Sequence, residues 1–226
     1  MYKPILIASG AILGMAAAKP VARPAQIMPV VHLKEEAMIV EYTASANEAV
    51  IKVRAESETG LQRVELCLPD GSTAVKLESA PGHPLAVWGF EFELLEADPV
   101  TVLGAYAAGT YDFRGRSVLG NSVVGNVTFS HELPPAPVIT YPRNGALHVP
   151  ANGLTVTWVP DPTAVSYRVG VEQGDRDGLI VELPAGTSSL RVPDGLLRPR
   201  TRTFVEVGAV AANGNCTIVE IPFHVE

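Results

Sequence analysis

Val50-Ile51-Lys52-Val53-Arg54-Ala55-Glu56 alternates without a break: Ile51, Val53 and Ala55 face one way, and Lys52, Arg54 and Glu56 the other. Successive side chains of an extended strand point to opposite faces, so this stretch is a strand with one face on a core and one in water. Working outward, Glu36–Ser45, Leu61–Leu68, Thr73–Ser79, Leu85–Leu94, Thr110–Val118 and Ser122–His131 read as further strands. Turn signals at Asp70-Gly71, Pro81-Gly82 and Gly120-Asn121 separate them. Such a series predicts a β-sandwich. Trp88, Phe90, Phe92 and Leu94 share one strand face. An exposed row of rings would suit sugars, but in a chain only 6% aromatic these rings are expected inside. Asp98 to Ala107 breaks the rhythm and reads as a short helix, with Asp98 as N-cap and Pro99 at the first helical position.

Composition supports an all-β chain. With 20 Gly and 19 Pro among 226 residues, little room remains for long helices, while 47% apolar residues suffice for a core. The formal charge of −7, without a basic run, argues against a nucleic-acid partner. Pro4 to Ala18 is an uninterrupted apolar and small-residue stretch behind Lys3, too short to span a bilayer and ending in three alanines. That pattern predicts a signal peptide over residues 1–18, cleaved after Ala18, and a secreted or periplasmic protein with no transmembrane segment in its mature form.

Residues 19–33, with Pro20, Pro24 and Pro29, read as a linker, and 34–133 as a first, immunoglobulin-like sandwich. The prolines at 134, 135 and 137 predict a stiff connection that holds a second domain, 134–226, apart from the first, each with its own core. Cys67 and Cys216 fall in different halves, which excludes a bridge within either one. Strand parity places neither clearly on a core face, so both are expected to be free and at least partly accessible.

Pro137–Pro142, Leu154–Trp158, Tyr167–Val169, Ser189–Val192, Leu197–Thr201 and Val205–Val210 stand in an order that resembles the fibronectin type III domain. The resemblance spans about 90 residues. It implies a sandwich in which Trp158 and Tyr167 are buried and Leu197 plugs the core. It departs from the family at Thr203, where a tyrosine is usual, so the tyrosine corner is expected to be missing. In the first half, Gly109-Thr110-Tyr111-Asp112-Phe113 looks like part of an immunoglobulin-like module of secreted bacterial proteins.

The chemistry-bearing patterns are sparse. His32, His83, His131, His148 and His224 are scattered, with no metal-ligand spacing between them. The chain lacks a Gly-x-Ser-x-Gly elbow, a phosphate loop and a dinucleotide fingerprint, so no catalytic, cofactor-binding or metal-binding residue is assigned. Asp175-Arg176-Asp177-Gly178 reads as a solvated turn rather than a calcium loop. Asn126 and Asn215 each begin a glycosylation acceptor motif. The sequence thus points to an exported, non-catalytic binding or spacer protein whose partner is a protein or glycan at a cell surface. The alternatives are a secreted hydrolase or carbohydrate-binding accessory protein, and a structural subunit of a surface assembly.

Overall fold

The computed structural model describes residues 29–79, 87–174 and 178–226. The apolar segment 1–18, most of the 19–33 linker and the Asp175–Asp177 turn lie outside them. The order is β1 (Val30–His32), β2 (Glu35–Thr43), β3 (Glu48–Cys67), β4 (Thr73–Glu78), β5 (Val87–Ala97), α1 (Pro99–Ala105), β6 (Gly109–Ser117) and β7 (Ser122–Phe129). There follow β8 (Val138–Tyr141), β9 (Thr155–Val159), β10 (Ser166–Glu172), β11 (Leu179–Pro184), β12 (Ser189–Arg191), β13 (Arg202–Val210) and β14 (Cys216–His224).

The first half is built around β3. Its N-terminal part pairs with β2 and β5, its C-terminal part with β4 and β6, and register shifts fall between Glu56 and Leu61. The two expected strands over 50–56 and 61–68 are therefore one, bent from one layer into the other. Before the bend the core residues are Ala49, Ile51, Val53 and Ala55; after it comes Leu61 and then, past the register shift between Leu61 and Arg63, Val64 and Leu66. The inward parity changes because the same strand meets the core from opposite sides. These residues form one cluster with Tyr111, Phe113, Val123 and Phe129. Val30–His32, expected to be linker, is a strand parallel to β7, and Leu33 joins the core.

Helix α1 starts where Asp98 and Pro99 predict, with the Asp98 carboxylate accepting from the N–H groups of Val100 and Thr101. Val102 is the residue it buries, whereas Val100 is exposed. Trp88 corrects the expectation of an inward aromatic row, for it is 60% exposed while Phe90 and Phe92 are half-buried and stacked at 5.7 Å. It stands at the start of β5, beside the segment where β3 leaves this layer, so the strand parity that turns Phe90 inward finds no core above Trp88.

The second half has β12-β9-β8 as one sheet and β11-β10-β13-β14 facing it, the three-plus-four arrangement that a fibronectin type III likeness implies. Trp158, Tyr167 and Leu197 all lie in its core, with the Trp158 and Tyr167 rings 5.5 Å apart. Thr203 is fully buried in place of the expected tyrosine. Gln173 takes over the fastening: its amide donates to Thr203 Oγ1 (2.7 Å) and to the Arg198 carbonyl (3.2 Å), and its Oε1 accepts from Arg198 N (2.8 Å). The tyrosine fastening itself occurs in the first half, where Tyr111 Oη donates to the Ala107 carbonyl at 2.9 Å.

The halves are not held apart. β14 pairs in parallel with β2, Cys216 to Ile218 against Glu41 to Thr43, so hydrogen bonding runs through both halves as an eleven-stranded sheet. Pro134 and Pro137, expected in an exposed spacer, are buried, and the Pro134 carbonyl accepts from Thr217 Oγ1 at 2.6 Å. Their stiffness is used to dock the chain rather than to separate two bodies.

Gln173→Leu should cost about 1 to 3 kcal/mol, because it leaves Thr203 and Arg198 groups without their partner. Urea unfolding of the purified chain checks this, and Thr203→Val combined with Gln173→Leu should lose less than the two single losses added together.

Candidate functional site

The pairing of β2 with β14 makes β5-β3-β2-β14-β13-β10-β11 a continuous run of seven strands. Cys216 and Glu41 are partners on its outer side, Thr217 and Tyr42 on its inner side, so the two halves share one outer face. In the first half, successive rows on that face are Glu35 and Glu56, then Ala37, Arg54 and Glu91, then Ile39, Lys52 and Glu93. Glu41, Val50 and Glu96 follow, and then Glu48. In the second half the rows are Glu182, Arg168, Gly208 and Ile218, then Ile180, Gly170, Glu206 and Glu220, then Glu172, Phe204 and Pro222, with Arg202 beyond.

At the seam Glu41 is 7% exposed and held by two cations: Arg168 Nη1 lies 2.6 Å from its Oε1 and Lys52 Nζ 2.8 Å from its Oε2. Burial by itself would raise the Glu41 carboxyl, but the bonds and charges of Arg168 and Lys52 outweigh it and hold the group below its ordinary value of 4.5. Gly208 leaves room for the seam side chains of Cys216 and Ile218. A Cβ there would meet Cys216 Sγ at 2.8 Å and Ile218 Cγ1 at 3.3 Å.

Asn215 fastens the back of the seam. Its Oδ1 accepts from Val40 N (2.9 Å), and its Nδ2 donates to the carbonyls of Ser130 and Glu132 (2.8 Å each). Read in sequence as a glycosylation acceptor, this amide is buried and fully committed, whereas Asn126 on β7 is exposed. Both cysteines are free, as expected, but instead of being partly accessible each is only 3% exposed. Parity places Cys67 on the outer side with Glu65, Asp112 and Arg114, yet it is buried there. Cys216 lies in the seam, where burial pushes its thiol up to about 12 despite nearby Arg168. Such a thiol is not a nucleophile at neutral pH.

A hollow of about 490 Å³ opens at the seam, lined in part by Ile39, Glu41, Lys52, Arg168, Val210 and Gly214. Acid–base chemistry there would need a carboxyl poised to give or take a proton. Of the carboxyls that line the hollow, Glu36, Glu41, Glu91 and Glu182, the buried Glu41 is held below its ordinary value by Arg168 and Lys52. Glu206, raised by burial and by Glu172 and Glu220, does not line the hollow. Trp88 borders a separate hollow with Lys34, Glu56 and Ser57, as a single ring rather than a row. Among the described residues there is no group of three or more His, Cys, Asp or Glu placed to hold a metal ion.

No protein-family model and no curated protein matches the chain. Among solved structures, a two-domain fibronectin type III segment of chicken tenascin is 12% identical, with 88% of this chain and 99% of that one covered, at a TM-score of 0.33. The fibronectin(III)-like modules of Clostridium thermocellum CbhA are 12% identical over 86% of this chain and 93% of theirs, at 0.35. A tetra-tandem repeat from the extending region of a large adhesion protein is 13% identical over 85% of this chain and 50% of that one, at 0.31. At these scores the fibronectin type III likeness of the second half stands on its own strand order, three strands facing four.

Glu41→Gln should lower stability at pH 7 by about 1 to 3 kcal/mol, since it leaves two cations without their carboxylate. A carboxyl whose folded value is depressed contributes fully above its unfolded value near 4.5 and loses that contribution as pH falls through the folded value. The wild type should therefore lose more stability than Glu41→Gln between about pH 5 and 3, as read by urea midpoints across that range.

Proposed function

We propose that this chain is an exported, non-catalytic module, a rigid two-sandwich spacer that presents its outer sheet face to a partner at or beyond the cell surface. The observation that carries the reading is the seam. Strand pairing, Glu41 and Asn215 join the two sandwiches, and Glu41, Arg168 and Lys52 are spent on that joint. A catalytic cleft between domains needs groups left free to react and usually room to close. Here one carboxylate, two cations and an amide oppose closure.

The export half of the proposal rests on the sequence Pro4 to Ala18, and the described residues include no helix long and apolar enough to cross a membrane. A hydrolase or a carbohydrate-binding accessory protein would draw on the seam hollow, whose carboxylates are Glu36, Glu41, Glu91 and Glu182, or on Trp88; Glu41 is tied to Arg168 and Lys52, and Trp88 is a single ring rather than an aromatic row.

Nitrogen-15 relaxation of the full chain should give the same rotational correlation time for amides of β3 and β10. Two distinct values would overturn the rigid spacer. Intact mass of the protein recovered from its native host should correspond to a chain beginning at Lys19; a membrane-bound product retaining Met1 would overturn export by cleavage.

A further inference from the structure

The outer face of the seven-stranded run carries charge of predominantly one sign. Eleven glutamates point from it, against Lys52, Arg54, Arg168, Arg202 and Lys34, the last reaching Glu56 at 3.3 Å. That excess of six negative charges is nearly all of the chain's formal −7, so the remainder of the molecule is close to neutral in sum. Lys52 and Arg168 are already committed to Glu41. A partner therefore meets Glu172, Glu182, Glu206 and Glu220 on the second half with little to offset them. Glu206 and Glu220 stand directly opposite each other on adjacent strands, an arrangement of like charges that destabilises a sheet until a cation relieves it.

Among the described residues, the same face ends at an edge that carries no further strand: β11 pairs with β10 alone, and its outward residues are Ile180, 66% exposed, then Glu182 and Pro184. An unpaired edge is a template for an added strand, whose side chains at every second position would project over the acidic face. A second copy of β11 is a poor occupant, because it would bring another Glu182 to the same edge. An anionic lipid surface or nucleic acid would be repelled. We propose that the edge of β11 and the face beside it dock an extended basic segment of a partner protein, with lysines or arginines over Glu182 and its neighbours and an apolar residue against Ile180. The inference deepens the binding reading given above and rests on it.

The test uses the full chain, labelled with nitrogen-15, and a synthetic nonapeptide of alternating lysine and threonine. At low salt the largest shifts should fall on β11 and β10, and the affinity should drop steeply as salt is raised. Glu182→Lys should weaken binding about tenfold or more, whereas Glu78→Lys, on the exposed strand β4 in the other layer, should leave it within about twofold. The proposal is overturned if the peptide does not bind, or if Glu78→Lys weakens binding as much as Glu182→Lys, which would mean general attraction to an acidic protein. A chain that ignores the peptide yet tumbles as one body loses this docking face and keeps the spacer reading. A chain whose halves tumble separately loses the spacer reading whatever the peptide does.

Discussion

The contact between Glu41 and its two cations, set beside a three-residue parallel pairing of β2 with β14, fixes how the halves of this protein meet. So short a parallel pairing is marginal by itself. A buried ion cluster adds little net stability compared with apolar packing, since desolvation offsets most of the attraction, but removing any one member leaves a charge without its partner. Its effect is to specify one arrangement. Only when Arg168 reaches it from β10 and Lys52 from β3 are both oxygens of Glu41 satisfied. Asn215 applies the same logic from the other side, with hydrogen bonds to β2 and to the linker in a site closed to water.

From that joint follows the architecture of the whole. Each half keeps its own apolar cluster, while their outward sheet faces merge into one. The bend in β3 lets a single strand serve both layers of the first half, which leaves β2 free to take β14 on its other side. At the seam Glu41, Arg168, Lys52 and Asn215 hold the two halves together. In the proposed reading, recognition falls to the acidic outer face and the edge of β11.

Much of this was legible one strand at a time. The alternation in 50–56, the Asp98-Pro99 helix start and the order of apolar motifs after Pro137 are local patterns, and local backbone geometry obeys them. Trp88 shows the limit, because parity gives the side of a strand but not whether the opposing layer extends that far. Cys67 and Cys216 show it differently: both lie on outer faces, as parity indicates, yet both are buried, Cys216 because it sits in the seam against β2 of the first half. Asn215 carried a motif that suggested a surface role, and nothing adjacent to it in sequence marks the carbonyls of Ser130 and Glu132 that it binds. Gln173 gave no signal either, since its partners Arg198 and Thr203 lie on a distant loop and strand.

The sequence by itself determined the strands, their inward and outward faces, the turns between them and the near absence of catalytic patterns, because each depends on neighbours within a few residues. Tertiary structure decided that β3 is one bent strand, that the proline linker docks, that Glu41 is buried against Arg168, and that the excess negative charge gathers on one face. Those depend on meetings between residues as many as 175 positions apart, as in the bond from Val40 N to Asn215. Their energy depends on geometry that exists only once the sheet has closed across both halves.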